Sequence, residues 1–559
     1  MFVILVSIIL LSLSWLAWRH WARRRNYWKR RGVPHLPPHP LLGSLTFLQR
    51  ENPMFVILVS IILLSLSWLA WRHWARRRNY WKRCGVPHLP PHPLLGSLTF
   101  LQQENPSVWM RRMYDRFRGP YVGIWLFWRP GLIINCPEIA RKVLVKDANV
   151  FKDRFLSSGK TDPVGALNLF TVKDPLWSSL RRRLTVVFTS HRLRALHSLT
   201  ADKCADLVHR IRNEIQQNKY TDLRVLFADF TTDITGCAAF GLSGEATLTG
   251  HRAMRRVTRH FMAYSMLRGL CWSSIFFCPQ LVDVFGFSLF PESATKYFKE
   301  IFRTVVKKRG GYDRKIDEPK DLLDALLKIR QESLNDKEEI SEDILVAQAA
   351  IFVEGGFDTS AGAMTYAIYE LAFHPEIQNK LYEELLEAKN QYGVEGLDGN
   401  VLAGLNYFNC VIKEVTRKYS SMGWLDRIAS QDYRIDDKLT ISAGTPVYVN
   451  AIGMHYDPDY FPEPNKFDPD RFLPENEKNI KPFTFMPFGE GPRSCIGKRF
   501  GLQTVRYGLA HVLLNYEIEP VPDAPTPSQA KIEKRGMFLM PGEPLRRALV
   551  RNNIVEENY

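Results

Sequence analysis

A chain of 559 residues, 45% hydrophobic and 24% charged, has globular composition and enough length for a large core or two domains. Its eight cysteines form no C-x-x-C pair and no zinc-ligand spacing, which argues against a disulfide or zinc scaffold and for reduced thiols facing a cytosol. A net charge of +17 admits a nucleic-acid binder, but much of that charge flanks apolar segments, which points to a membrane and no nucleic acid.

The N-terminus is written twice. Residues 1–53 and 54–106 are identical except for Arg31 against Cys84 and Arg50 against Gln103. No folding requirement demands such identity, and two units do not make a solenoid. The repeat reads as a recent tandem duplication, an assembly or gene-model error, or a chimera. From Met54 onward 506 residues remain, with a net charge of +10. Each copy opens on 17 apolar or serine residues, 2–18 and 55–71, followed by a basic run such as Arg72, Arg76, Arg77 and Arg78. Charge after the apolar run, not before it, predicts an uncleaved anchor with the following chain in the cytosol. Residues 54–84 are thus the expected anchor and basic segment. Seventeen residues are short for a span, and the interfacial tryptophans Trp71 and Trp74 extend it. If both copies spanned, one basic linker would face the lumen, so one copy is expected to anchor. Residues 85–106, which open on the proline-rich GVPHLPPHPLLG, predict a stiff hinge.

Residues 107–150 combine a helix-like stretch, 108–117, with β-branched runs at 121–128 and 131–135, which predict a small sheet. In LWSSLRRRLTVVF, Trp177 and Arg181 share one helical face. The bland account is an aromatic packed on an arginine stem. Residues 194–247 read as helices. Residues 264–291 are crowded with large apolar side chains, including Leu267, Trp272, Phe276, Phe277, Phe285 and Phe290. Ordinary core and a lid that dips into a membrane are about equally good accounts.

Residues 343–376 predict a long apolar helix holding an acid–alcohol pair, Asp358-Thr359, and interior glycines Gly355-Gly356. Mid-helix glycines cost roughly 1 kcal/mol each against alanine, so a compensating role is expected. In KEVTR, Glu414 and Arg417 stand at i, i+3; as a surface pair they would contribute a few tenths of a kcal/mol. Residues 439–458 read as strands with a Gly-Thr-Pro turn. His455 within them reads as a hydrogen-bonded structural residue and not as a ligand.

The stretch at 485–501, FMPFGEGPRSCIGKRFG, carries the chemistry. Phe488, Gly491, Arg493, Cys495 and Gly497 fit a heme-thiolate loop, F-x-x-G-x-R-x-C-x-G. A thiolate pushes electron density onto heme iron and favours O–O cleavage. Gly491 permits a tight turn, and Gly497 permits a helix to start close to a porphyrin. N–H groups at that helix start hold the sulfur ionised. Phe488 shields the sulfur, and Arg493 is placed to pair with a propionate. A lone cysteine in a turn would be structural; five matching positions arise by chance on the order of once in several thousand sequences.

The loop resembles the heme-binding signature of the cytochrome P-450 monooxygenases, and FTTDITGCAAFG at 230–241 resembles the insect family-six microsomal branch. The resemblance covers essentially the whole chain beyond the extra copy. It implies a mainly α fold with small antiparallel β-sheets, an N-terminal membrane anchor, and a heme-thiolate catalytic domain over 107–559. It implies heme b held through Cys495, with Trp177, Arg181 and Arg427 joining Arg493 at the propionates. Thr359 would hydrogen-bond iron-bound oxygen, and Asp358 would relay protons. Glu414, Arg417 and Arg471 of P-D-R-F would form a buried structural triad. The family more often has alanine at Gly355 and two prolines at Ser420-Ser421, which leaves that loop's part in the pocket open. The turn at 536–541 would touch substrate.

The implied reaction inserts one oxygen atom into an apolar small molecule: a xenobiotic, insecticide, plant toxin, fatty acid or insect hormone. Electrons would come from NADPH through NADPH-cytochrome P-450 reductase, with cytochrome b5 as a further donor. Lys498, Arg499, Arg182 and Arg183 would dock that reductase, or would be a solvated basic face. The implied location is the cytosolic face of the endoplasmic reticulum membrane. Two alternatives stand beside this: a reductase-independent isomerase or dehydratase, which an intact Asp358-Thr359 pair opposes, and a non-catalytic heme-binding member.

Overall fold

The computed structural model describes residues 77–551, apart from 190–193, 195, 218–220, 243, 262 and 336–339, together with scattered positions between 61 and 75. The first copy, 1–53, and most of the apolar run at 55–71 lie outside the described residues. Among the described residues no helix is long and apolar enough to cross a membrane. Contacts divide the chain into two units, Met1–Asn79 and Tyr80–Tyr559. In the first unit, Arg72 stacks on Trp68 and Arg78 on Trp74.

The second unit begins with the proline-rich segment packed along its sheet. Trp81 is fully buried and donates its indole N–H to Ile124 O at 2.9 Å. Gly123 N donates to Pro87 O at 2.8 Å. Helix α1 (Pro106–Arg116) follows, capped by the Asn105 side chain. Strands β1 (Tyr121–Leu126) and β2 (Arg129–Ile134) form a hairpin. The helical body then runs through α2 (Leu176–Thr185), α3 (His197–Gln216), α4 (Leu223–Phe240), α5 (Ala253–Phe261), α6 (Met266–Phe277), α7 (Glu292–Lys308) and α8 (Leu322–Asn335). Helix α9 (Glu342–Leu371) is its axis, followed by α10 (Pro375–Tyr392) and α11 (Asn406–Lys418). Strands β3 (Leu425–Ile428) and β4 (Pro446–Val449) return to the hairpin, and α12 (Lys498–Asn515) leads to β5 (Tyr516–Pro520) and β6 (Arg546–Arg551).

Helix α9 is 30 residues long, which corresponds to about 45 Å. Ser341 caps its N-terminus, and Glu342 and Asp343 in the first turn suit the helix dipole. It is apolar nearly all round because other helices surround it. Thr231 Oγ1 on α4 donates to Phe357 O at 2.9 Å. A Cβ on Gly356 would lie 3.0 Å from the Thr235 side chain, so this glycine lets α4 and α9 approach.

The larger sheet has the order β1-β2-β4-β3. The expectation of antiparallel sheets needs correction here: β2 pairs with β4 in parallel, Leu132 opposite Val447. Parallel neighbours need a long crossover, and the helical body between the two strands supplies it. A three-stranded sheet, Thr221–Asp222 with β6 and β5, and a two-stranded one, Tyr433–Arg434 with Thr440–Ile441, are antiparallel.

The apolar segment at 264–291 divides between its two accounts. Trp272, Ile275, Phe276 and Phe277 on α6 are core, whereas Leu267, Val284 and Phe285 are 64%, 72% and 60% exposed.

Behind the Cys495 loop, Glu414 and Arg417 on α11 are wholly buried and paired at 2.7 Å, not a surface pair. Arg471 Nε lies 3.5 Å from Glu414 Oε1, which completes the expected triad. His455 Nδ1 donates to Arg417 O at 3.1 Å, and its Nε2 accepts from Met486 N at 2.9 Å. The ring is therefore neutral and structural. Burial, with Arg417 nearby, lowers its pKa to about 3. A histidine held neutral contributes fully above its unfolded pKa, and its contribution is lost as pH falls from about 6.5 toward about 3. The expected slope from this group is about 1.4 kcal/mol per pH unit. Urea midpoints at pH 7 and pH 5 check it: His455→Asn loses less stability over that interval than the native chain.

Candidate active site

One cavity of about 360 Å³ is lined by α9 on one side and the Cys495 loop on the other. The loop is shaped by its backbone. Cys495 N donates to Phe488 O at 2.8 Å, and Ser494 N to Gly491 O at 3.0 Å. Gly491 has φ +74°, and a Cβ there would stand 1.9 Å from Leu144 O. Gly491→Ala is expected to cost about 2–5 kcal/mol, from the left-handed backbone and the clash together. A Cβ on Gly355 would meet nothing within 4 Å, so Gly355→Ala serves as the tolerated control in the same thermal-melting series.

Cys495 is surrounded by protein, yet its side chain is open because it lines the cavity. Burial pushes its thiol pKa up; the Gly497 N–H, Arg181, Arg154 and Lys498 pull the other way. Gly497 is the residue from which α12 starts. Phe488 lines the cavity beside the sulfur, with the Lys498 ammonium 5.5 Å from its ring centroid.

Trp177, Arg181 and Arg493 also line the cavity. The Arg493 guanidinium lies 4.0 Å from the Trp177 ring centroid and reaches Asp153 at 2.8 Å. Arg427 is buried just behind this wall, where its Nη1 donates to Asp426 O at 2.7 Å. Sequence reasoning missed Arg154. It reaches the cavity because Asp426 accepts the N–H groups of Phe155 at 2.7 Å and Leu156 at 3.1 Å, pinning that segment to β3. No local motif announces it.

These cations test whether a heme fits. Arg427 and Arg493 are each lowered to about 9, first by burial and then by the charge of Arg154. Arg154 Nε is buried without a hydrogen-bond partner. Buried guanidiniums that destabilise one another, one with an unmet donor, suit a ligand with two carboxylates. Together with a cysteine sulfur on the same wall, this donor set fits heme.

On the opposite side, Thr359 lines the cavity and donates from Oγ1 to Gly355 O at 2.6 Å. Asp358 is buried behind that wall, and its Oδ2 has no partner. Burial raises its pKa against the pull of Arg224 and Arg255. The pair is thus split: Thr359 is on the cavity wall and Asp358 is not among the lining residues. Ser420, Ser421, Met537 and Phe538 complete the wall, and Leu539 N ties the tail to Ser421 O at 2.8 Å. Glu354, which no motif marked, lines the cavity too.

Residues 86–546 match the family model described as Cytochrome P450. The chain is 31% identical over 506 residues to Cytochrome P450 6k1 of Blattella germanica, covering 87% of this chain and 96% of that one. It is 33% identical over 485 residues to Probable cytochrome P450 6g2 of Drosophila melanogaster, covering 83% and 93%. Cytochrome P450 6l1 of Blattella germanica is 32% identical over 465 residues, with 81% and 90% covered. With the match running through both walls of the cavity, the chain belongs to the cytochrome P450 family, with heme b as its cofactor and monooxygenation as its reaction.

Proposed function

We propose that this monooxygenase acts on apolar small molecules of the xenobiotic, insecticide, plant-toxin, fatty-acid or hormone kind, with electrons from NADPH through a reductase. The observation that carries this is the cavity itself, where Cys495 and Thr359 face one space walled by Phe170, Phe188, Phe276 and Phe352. When bound, heme b supplies the activation of dioxygen. Cys495 Sγ would hold the iron, and Trp177, Arg154, Arg181, Arg427 and Arg493 would hold the propionates. Phe488 excludes water from the sulfur. Thr359 Oγ1, steadied by Gly355 O at 2.6 Å, presents its hydroxyl to the cavity and passes protons there. Asp358, its Oδ2 without a partner behind the same wall, would help relay those protons. The aromatic walls desolvate the substrate and orient it.

Exposed Arg182 and Lys498, with neighbouring Arg183 and Arg499, form the reductase face, which also takes cytochrome b5. Charge reversal at Arg182 and Lys498 that spares reductase-supported turnover would remove this docking role. One apolar segment, residues 55–71, anchors the chain in the endoplasmic reticulum with the second unit in the cytosol. Protease protection of that unit in sealed microsomes would contradict this orientation.

The central test uses the full chain, the reductase, NADPH and isotopically labelled dioxygen. The expected product of an apolar substrate carries one labelled oxygen atom and requires NADPH. Label-free product formed without reductase would favour the isomerase reading.

A further inference from the structure

The apolar cavity contains one acid. Among the described lining residues the charged side chains are Arg154, Arg181, Arg493 and Glu354. The three arginines are those proposed above to hold the propionates. Glu354 sits on α9, five residues before Thr359, within electrostatic reach of Arg268 on α6. It is 8% exposed, and its Oε2 has no hydrogen-bond partner.

Its neighbours do not neutralise it. Asp358, one turn later on the same helix, is of like charge and raises its pKa. Arg268 on α6 is the cation that faces it, but this guanidinium donates to Ser288 O at 3.0 Å and to Leu289 O, and stacks 4.6 Å from the Trp272 ring centroid. No ion pair joins Arg268 to Glu354. Arg224 and Arg255 face Asp358, and the Tyr264 hydroxyl is also within electrostatic reach of Glu354. A carboxyl group kept in a hydrophobic cavity without a partner is costly, and such groups mark binding sites.

We propose that Glu354 determines specificity by selecting substrates that carry a basic nitrogen, its carboxylate pairing with the protonated amine inside the cavity. The aromatic faces of Phe261, Phe276 and Phe290, which also line the cavity, add to the attraction for a cation. This rests on reading the cavity as the substrate site, and it narrows that reading from apolar molecules in general to apolar amines. Burial, then Asp358, raises the Glu354 pKa to about 8. A permanent cation binds the ionised form, so its affinity rises about tenfold per pH unit between pH 6 and pH 8 and levels off above. A neutral ligand shows no such slope.

The test compares trimethyl(3-phenylpropyl)ammonium with its uncharged tert-butyl isostere, binding to the heme-loaded full chain by calorimetry from pH 6 to pH 9. A quaternary nitrogen keeps its charge and cannot ligate iron. The expected result is at least tenfold preference for the cation at pH 8.5, rising with pH. Glu354→Gln removes both the preference and the slope and keeps the isostere's affinity within about twofold. Equal binding of the two ligands to the native chain at pH 8.5 would overturn the proposal, as would a preference that survives in Glu354→Gln. If the neutral isostere also fails to bind the native chain, the cavity reading fails first and takes this one with it.

Discussion

Cys495→Ser leaves the fold in place and removes the red-shifted carbonyl band of the reduced, heme-loaded protein. Turnover falls below detection with it. The loop's shape comes from backbone bonds, Cys495 N to Phe488 O and Ser494 N to Gly491 O, and serine preserves both. What changes is the donor atom. A serine hydroxyl beside Arg181, Arg154 and Lys498 does not supply the electron density of a thiolate. The carbonyl difference spectrum reads the ligand, and far-ultraviolet circular dichroism reads the fold. A native band in Cys495→Ser would assign the iron to another residue. Among the described residues no group of three or more His, Cys, Asp or Glu stands ready to hold a metal.

Glu414→Ala is the opposite experiment, with a large effect on stability. The Glu414 carboxylate accepts from Arg417 Nε at 2.7 Å, from Arg417 Nη2 at 2.8 Å and from Asp468 N at 3.0 Å, with Arg471 Nε 3.5 Å away. Arg417 and Glu414 are both wholly buried. Removing the carboxylate strands the Arg417 charge in the core, which costs about 3–5 kcal/mol. Against a total of about 5–15 kcal/mol, that is a large fraction of the margin of a typical domain. The expected outcome is little soluble heme-loaded protein, and a lowered urea midpoint in what remains. Glu414→Gln keeps one acceptor and falls between. A loss under about 1 kcal/mol would show that the triad is dispensable.

The contrast between these two variants follows how each feature is written in the chain. The Cys495 loop is contiguous, and its five marked residues sit within ten positions, so spacing alone exposes it. Glu414 and Arg417 are one helical turn apart and equally legible as a pair, but spacing alone left them a surface pair, and their burial was implied only by the family resemblance. Burial came from His455 and from the carbonyls of Pro464 and His455, which meet Arg417 only when the chain folds back.

The acid–alcohol pair shows the same limit. Adjacent residues on a helix point about 100° apart. Sequence placed Asp358 and Thr359 together, and the packing of α9 put Thr359 on the cavity and Asp358 behind it. Gly355 and Gly356 were marked as one feature. Both line the cavity, but only Gly356 also admits α4, through its close approach to Thr235.

By itself the sequence marked the loop of Cys495 and Arg493, the helical pair Trp177 and Arg181, the long central helix and the apolar, basic-flanked N-terminal repeat. These are local: each depends on residue type, spacing or helical period. Only the tertiary structure decided that β2 and β4 run parallel, that Arg154 reaches the cavity wall beside Arg181 and Arg493, and that Glu354 is the acid in an apolar cavity. Each of those depends on which distant segment covers a residue, and the desolvation that gives Arg154 and Glu354 their character exists only once that cover is in place.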